Sequence, residues 1–346
     1  MTENTVRVSV VMGVYNYEKF VPSAIMSILN QEGVEFELII TNDGSTDTAG
    51  TIVDYFAGID PRVRVVHQEN RGLDYTGNNM LRMSRGEFVA RLDCDDIAYP
   101  GRLAQQVAYL TAHPDVGLVG TWTNVVTEQG KSYFTACLPD DDSVIKQLLN
   151  QGVNPFVHSS VMYRRDLLLR LGFNFRFSGT NDYDMWLRLL PHTRFGMVES
   201  VLTASRIHSA NLSLQKPDQS KKIRQFVETL HRKRQAGQPE GDWEAQLNEI
   251  MSTDAPASHQ ENSRSLSSQK TAQQWYRLLR SSIFRNKRVE ILTLSSLRLL
   301  PTALYQWLWS RLSPKGVYYR PIQRVANVRE LQKTWQDLHS HTPLNF

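Results

Sequence analysis

Through the first half of the chain, short apolar runs alternate with stretches whose apolar positions recur every three or four residues. That is the pattern of a mainly parallel sheet covered by helices. Val8 to Val14 reads as a buried strand. Glu18 to Gln31 reads as the helix after it, because Phe20, Val21, Ala24, Ile25, Ile28 and Leu29 fall on one face. Phe36 to Thr41 and Val63 to His67 are further strands. Between them, Asp43-Gly44 marks a turn and Ser45 to Asp47 offers a helix N-cap. Leu73 to Met83 predicts a helix, and Gly86 to Leu92 a strand that ends on Asp93-Cys94-Asp95-Asp96. Pro100 to His113 follows as a helix with proline near its first turn. Strand-like segments come next at Val116 to Gly120, Thr121 to Val126, Val157 to Tyr163 and Phe195 to Ile207, with a helix from Asp182 to Leu190 before the last.

Beyond Ser213 the pattern turns helical, with Lys221 to Gln235 and Asp242 to Met251 as candidates. Thr253 to Gln269 is rich in Ser, Gln and Pro and reads as a linker. Gln269 to Arg311 resumes as basic helices carrying Trp275, Tyr276, Phe284, Trp307 and Trp309. The expected organisation is one α/β domain over residues 1–213 and a helical, basic region over 214–346.

Composition narrows the class. The chain has 346 residues, 41% apolar and 21% charged, as expected of a soluble globular protein. The net charge of +4 is unevenly spread: residues 1–213 hold 18 Lys and Arg against 24 Asp and Glu, whereas the remainder holds 21 against 11. An acidic first part argues against nucleic acid as its ligand, and the basic remainder suggests an anionic surface as a neighbour. Peripheral lipid contact and packing against the first domain or a second subunit are both open readings of the basic helices. The two cysteines, Cys94 and Cys137, build neither a disulfide framework nor a cysteine-rich zinc site, so a reducing compartment is expected. No basic stretch followed by an apolar one opens the sequence, and Ile291 to Leu312 is interrupted by Arg298, Pro301 and Arg311. The expectation is a cytoplasmic protein without a transmembrane helix, with the inner membrane face as an open place of work.

Three of the predicted strands end in polar loops, at Tyr15-Asn16, at Asp43 and at Asp93 to Asp96. In an open α/β sheet these converge on one crevice. Three acids within four residues repel one another, so a cation or many donors must compensate them, and oxygen ligands suit Mg²⁺ or Mn²⁺. An acidic turn would show the same letters. Asp43 reads equally as a ligand for a nucleoside or as a turn-former. Asp182 reads as a general base facing a cleft or as an acid favoured in a first helical turn. His208, in Arg206-Ile207-His208, offers an imidazole to a cation or is a satisfied surface histidine. Asn211-Leu212-Ser213 matches a glycosylation acceptor, a chance match in a reducing compartment.

Taken in order, the motifs decide more than any one of them. Val10 to Asn16, Asn42-Asp43-Gly44-Ser45-Thr46-Asp47, Asn70-Arg71-Gly72, Asn78, Gly86 to Asp96, Pro100-Gly101-Arg102-Leu103, His158 to Met162, Asp182 to Arg188 and Arg206-Ile207-His208 together resemble family 2 of the inverting glycosyltransferases. The resemblance covers residues 6 to 213. It implies the GT-A fold, a Rossmann-like mainly parallel sheet flanked by helices, here with a C-terminal helical extension. It further implies donor binding by Val14, Tyr15, Asn16, Asp43, Arg71, Gly72, Asn78, Asp93, Cys94 and Asp95. Asp43 would contact the nucleoside, Asp93 the ribose or the metal, and Asp95 the metal, with His208 a further ligand. Asp182 would be the base. The implied cofactor is Mn²⁺ or Mg²⁺, and the implied partners are a nucleotide-sugar donor, with UDP-sugar expected, and a glycan or lipid-linked sugar acceptor. One departure is that Asn181-Asp182 stands where the family usually has Glu-Asp, which bears on acceptor preference. A nucleotidyltransferase would want a Gly-rich basic loop after the first strand, and Met12 to Asn16 has one glycine and no lysine. A silent GT-A-like binding module would want a broken acidic cluster or a missing base.

Overall fold

In the computed structural model, which describes residues 6–171, 175–177, 180–211, 217–252 and 318–320, both faces of the first two strands are covered. That is why β1 (Val8–Val14) and β2 (Phe36–Asp43) are nearly continuous runs of buried residues. They pair in parallel with each other and with β3 (Val63–Gln68) and β4 (Phe88–Arg91), in the order β3-β2-β1-β4. Alternate residues face opposite layers. Val8, Val10, Met12, Leu38 and Ile40 pack against Val21, Ala24, Ile25 and Ile28 of α1 (Val21–Leu29) and Ile52, Val53 and Phe56 of α2 (Ala49–Ile59). Val11, Ile39 and Val89 meet Met80 and Leu81 of α3 (Gly72–Met83) on the other side.

One buried charge interrupts this apolar layer. Glu37 of β2 accepts hydrogen bonds from Ser9 Oγ (2.7 Å), Arg64 Nη1 (2.6 Å), and both the backbone N–H (3.0 Å) and guanidinium of Arg85 (2.8 Å). Burial opposes ionisation, but these donors outweigh it and hold the carboxyl at about 2. Gly86 lets the chain pass β1 at this point, since a Cβ there would sit 2.5 Å from the Ser9 nitrogen.

Past β4 the sheet becomes mixed. β8 (Met162–Arg164) runs antiparallel to β4 and to β6 (Val116–Thr127), while β6 runs parallel to β9 (Arg194–Ile207). β7 (Ser132–Cys137) and β10 (Tyr318–Arg320) extend this edge antiparallel, and β5 (Ile97–Ala98) pairs with β9. α4 (Arg102–Ala112) backs β6, and α5 (Asp142–Asn150), α6 (Arg165–Arg170) and α7 (Asn181–Leu189) follow. α8 (Pro217–Gln235) buries Ile223, Phe226, Val227 and Leu230 in the same cluster as Trp186 of α7, and Trp243 and Leu247 of α9 (Trp243–Ser252) pack on it.

The α/β class and most elements agree with the reading of the sequence; the departures have local causes. The first helix starts at Val21 rather than Glu18 because the backbone N–H groups of Tyr17 and Glu18 are held by Asp47 in a loop conformation. Val116–Gly120 and Thr121–Val126 are one strand whose register with β9 shifts around Thr121 and Trp122. The strand expected at Val157 to Tyr163 is a 3-10 turn, His158–Ser160, leading into β8. Ser160 closes that turn by donating both N–H and Oγ–H to the Val157 carbonyl. β5, β7, β10, α5 and α6 lacked a strong enough period to be read. The linker at 253–269, the basic helices at 269–311 and the apolar tract at 291–312 lie outside the described residues. Among the described residues no helix is long and apolar enough to cross a membrane.

Candidate active site

Because β1, β2 and β4 are parallel, their C-terminal ends open on one edge, and their loops are tied together there. Val14 is the last, buried residue of β1, and Tyr15 beyond it is 45% exposed. Asn16 (φ 53°) and Tyr17 (φ 115°) then adopt left-handed backbone, a strained choice for residues with side chains. The loop after β2 compensates. Asn16 N–H donates to Ser45 Oγ (2.9 Å), its Oδ1 accepts from the Thr46 N–H (2.8 Å), and Asp47 Oδ2 accepts from the Tyr17 and Glu18 N–H groups (both 3.0 Å).

Asp43, at the end of β2, is buried and faces the start of α3. Its carboxylate accepts from the backbone N–H groups of Arg71 (2.8 Å) and Gly72 (2.9 Å), and from Gln68 Nε2 (2.6 Å), satisfying donors that a helix start otherwise leaves open. Gly44 makes the turn possible, with φ 75° and the Asn70 nitrogen only 2.7 Å from where a Cβ would be. The Arg71 guanidinium lies over the Tyr75 ring at 4.4 Å. Asn78 uses both ends of its amide on Phe175, accepting from its N–H (2.7 Å) and donating to its carbonyl (3.1 Å).

The acids after β4 have three different environments. Asp93 Oδ1 accepts from Arg91 Nε (2.9 Å), while the Asp93 N–H donates to Ser159 Oγ (3.0 Å). Asp96 is buried and accepts from the Arg206 N–H (2.8 Å); burial, then the charges of Asp95 and Asp93, push its carboxyl well above the usual range. Cys94 is buried, with its thiol pushed up by burial and the flanking acids. Asp95 is different. Its Oδ2 lies 3.0 Å from His208 Nε2 and accepts from Asn211 Nδ2 (3.1 Å), and its carbonyl accepts from Arg206 Nη1 (2.8 Å). His208 is wedged between Phe20, stacked at 4.6 Å, and Tyr17, edge-on at 5.5 Å, and its N–H is taken by Asn211 Oδ1 (2.7 Å). Arg206 itself is buried over the Phe20 ring. The Tyr17 hydroxyl donates to the Ala210 carbonyl, and burial together with Asp95 keeps it protonated.

Among the described residues no three His, Cys, Asp or Glu side chains form a metal-holding group. Asp95 and His208 do present one carboxylate and one imidazole to each other. Such a pair fits a cation whose remaining ligands are phosphate oxygens and water. The Asp93 carboxylate is engaged with Arg91 instead of meeting them.

Across the Ser159 turn lies the first turn of α7. Asp182 accepts from Asn154 Nδ2 at Oδ2 (2.7 Å), and its N–H is held by Asn181 Oδ1 (2.9 Å); Asn181 Nδ2 in turn donates to Asp74 of α3 (3.2 Å). Asp184, fully buried, takes two hydrogen bonds from Arg176 (3.0 Å each) and one from Arg188 (2.9 Å), and Arg176 continues to Glu240 (2.7 Å). Between the two acidic regions sits His158, its Nε2 buried without a partner. Burial and Arg91 lower its pKa, with Asp93 and Asp182 opposing, so the ring is neutral at pH 7.

Similarity to known proteins agrees with this layout. The family model for "Glycosyl transferase family 2" matches residues 9–172. The O-antigen biosynthesis glycosyltransferase WbnJ of Escherichia coli is 33% identical over 218 residues, which is 60% of this chain and 82% of that one. This protein belongs to glycosyl transferase family 2. The putative glycosyltransferase EpsE of Bacillus subtilis is 33% identical over 53% of this chain and 66% of its own. Among solved structures, residues 1–349 of S. aureus TarS superimpose with a TM-score of 0.54 over 71% of each chain at 18% identity, a likeness of fold. The GT-A fold and a glycosyltransferase activity are thereby established, and the nucleotidyltransferase reading falls away.

In this family 2 enzyme several residues escaped the sequence. Asn211, read only as part of a chance glycosylation triplet, holds both Asp95 and the His208 backbone. Arg91 carried a usable signal, being two residues from Asp93 along an extended segment and hence on its side. Ser159 lies in the His158 to Met162 motif but without an assigned role, and Asn154 carried no signal, because an irregular turn brings them to Asp93 and Asp182 from far along the chain.

Proposed function

We propose that this enzyme transfers a sugar, with inversion, from a nucleotide-diphosphate sugar, UDP-sugar being the expected donor, to a hydroxyl of a glycan or lipid-linked acceptor in surface-polysaccharide assembly. The observation that carries the proposal is the pairing of Asp95 with His208 at the sheet edge, with Asp182 across the Ser159 turn. The O-antigen role in the name of the E. coli relative supports the acceptor class.

In this reading residues 1–213 are the catalytic unit, and the loops at Tyr15-Asn16, Asp43 and Arg71-Gly72 form the nucleoside end. Asn211 orients the Asp95 carboxylate and the His208 backbone. A Mn²⁺ or Mg²⁺ ion held by Asp95 and His208, with Asp93 nearby, would neutralise charge on the departing diphosphate. Asp182 accepts the proton of the acceptor hydroxyl as that oxygen bonds to the anomeric carbon. The bond from that carbon to the diphosphate oxygen breaks on the opposite face, and the electron pair leaves with the nucleoside diphosphate. Tyr17, held protonated, adds no negative charge beside the phosphates. The basic residues after 213 support work against an anionic surface on the cytoplasmic side.

The test is a panel of UDP-glucose, UDP-galactose, UDP-N-acetylglucosamine and GDP-mannose, scored for nucleoside diphosphate release with Mn²⁺ or Mg²⁺. At least one donor should be turned over, and Asp95→Ala and Asp182→Ala should abolish turnover. Wild-type activity in both variants would overturn the proposal.

A further inference from the structure

Asp182 and Asp184 lie two residues apart on α7, yet only Asp184 is surrounded by cations. What faces Asp182 is an amide. Asn154 sits in the segment between α5 and the His158 turn, and both ends of its side chain are engaged. Its Oδ1 accepts from the Phe156 N–H (3.2 Å), and its Nδ2 donates to Asp182 Oδ2 (2.7 Å). The first contact fixes which way the amide points, since the oxygen must face the N–H of Phe156. The segment itself is anchored, with Phe156 buried against Trp186 and Phe195, ring centres 6.0 Å away in each case. A second asparagine fixes the Asp182 backbone, through Asn181 Oδ1. Among the described residues no hydrogen bond engages Asp182 Oδ1.

We infer that Asn154 is a positioning residue for the reaction: it occupies Asp182 Oδ2 with a neutral donor, so that Oδ1 faces the acceptor hydroxyl as the base. The inference rests on Asp182 being the base. A neutral donor stabilises the carboxylate without neutralising it, whereas an arginine, as at Asp184, would hold the charge too firmly to accept a proton. The other titratable groups bearing on the site are His158, in the field of Asp182 and itself flanked by Arg91 and Asp93, and Asp74, reached through Asn181. On α7 the Asp184 charge is met by Arg176 and Arg188, and from α8 Arg224 and Glu228 bear on Tyr183. The same segment also reaches the donor side, where Ser159 Oγ accepts from the Asp93 N–H.

The test is the split between kcat and KM for the panel donor that wild type turns over, in Asn154→Ala and in Asn154→Gln, which keeps an amide. Without its donor the Asp182 carboxylate is free to rotate, so kcat should fall about tenfold in Asn154→Ala while donor KM and UDP affinity stay near wild type. Asn154→Gln should recover part of the loss, and the melting temperatures of both variants should stay near wild type. Wild-type kcat in Asn154→Ala, with Asp182→Asn inactive, would overturn the inference alone. Full activity in Asp182→Asn would instead overturn the assignment of the base.

Discussion

The acids at the end of β4 and the acids at the start of α7 are handled in opposite ways. After β4, Asp93 is paired with Arg91, Asp96 is buried on one backbone N–H with its carboxyl pushed up, and Asp95 between them meets an imidazole and an amide. On α7, Asp184 is locked by two arginines and its neighbour Asp182 keeps one amide. In each region one carboxylate is paired with arginine, and another meets only neutral or imidazole partners. The lesson is that the cations around an acid, more than its burial, separate a structural carboxylate from one available for chemistry.

The comparison breaks most visibly at α7. Replacing Asp182 by Asn should lower kcat by about 10²- to 10⁴-fold, the range for loss of a general base, with the melting temperature unchanged. Replacing Asp184 by Ala should do the reverse. It removes the buried carboxylate that Arg176 and Arg188 share, so chemical denaturation should report a loss of about 3–5 kcal/mol, with residual activity in whatever remains folded. Activity lost in both variants at unchanged stability would erase the distinction.

Glu37 extends the test to a carboxylate with no role in the chemistry. Its folded pKa of about 2 lies below its ordinary value of 4.5, so its contribution is present above about 4.5 and is lost as pH falls through about 2. Glu37→Gln should therefore cost on the order of 3 kcal/mol at pH 7 and almost nothing near pH 2. Urea unfolding at the two pH values measures this, and a deficit independent of pH would contradict it. The smallest effect is expected at Asn211. Asn211→Ala removes one donor from Asp95 and the acceptor of the His208 backbone N–H, and should cost roughly fivefold in kcat/KM, the worth of about 1 kcal/mol, read as a higher Mn²⁺ requirement.

The same contrast explains what was legible. The edge proposed for the donor is built from strand ends, where a run of apolar residues is followed by Asp43 or by Asp93 to Asp96. That these residues share one edge could be read from sequence, although what each touches could not: Asp43 faces the start of α3, and the Asp93 carboxylate turns to Arg91. The opposite side is assembled from an irregular turn and a helix start, where no period operates. His158 to Ser160 was read as strand, Asn154 was not singled out, and Asn211 passed for a chance triplet. Asn181, noted only as a departure from the usual Glu, reaches Asp74 on α3, a pairing across 107 positions that no local pattern announces.

Calorimetric titration of UDP with and without Mn²⁺, run alongside donor turnover on wild type, Asp95→Ala and Asp182→Asn, tests the division of labour most directly. The account predicts that Asp95→Ala loses the Mn²⁺-dependent gain in UDP affinity, and that Asp182→Asn keeps this gain while losing turnover. Asp95→Ala binding UDP with an undiminished Mn²⁺ response, or Asp182→Asn turning over donor at the wild-type rate, would contradict it.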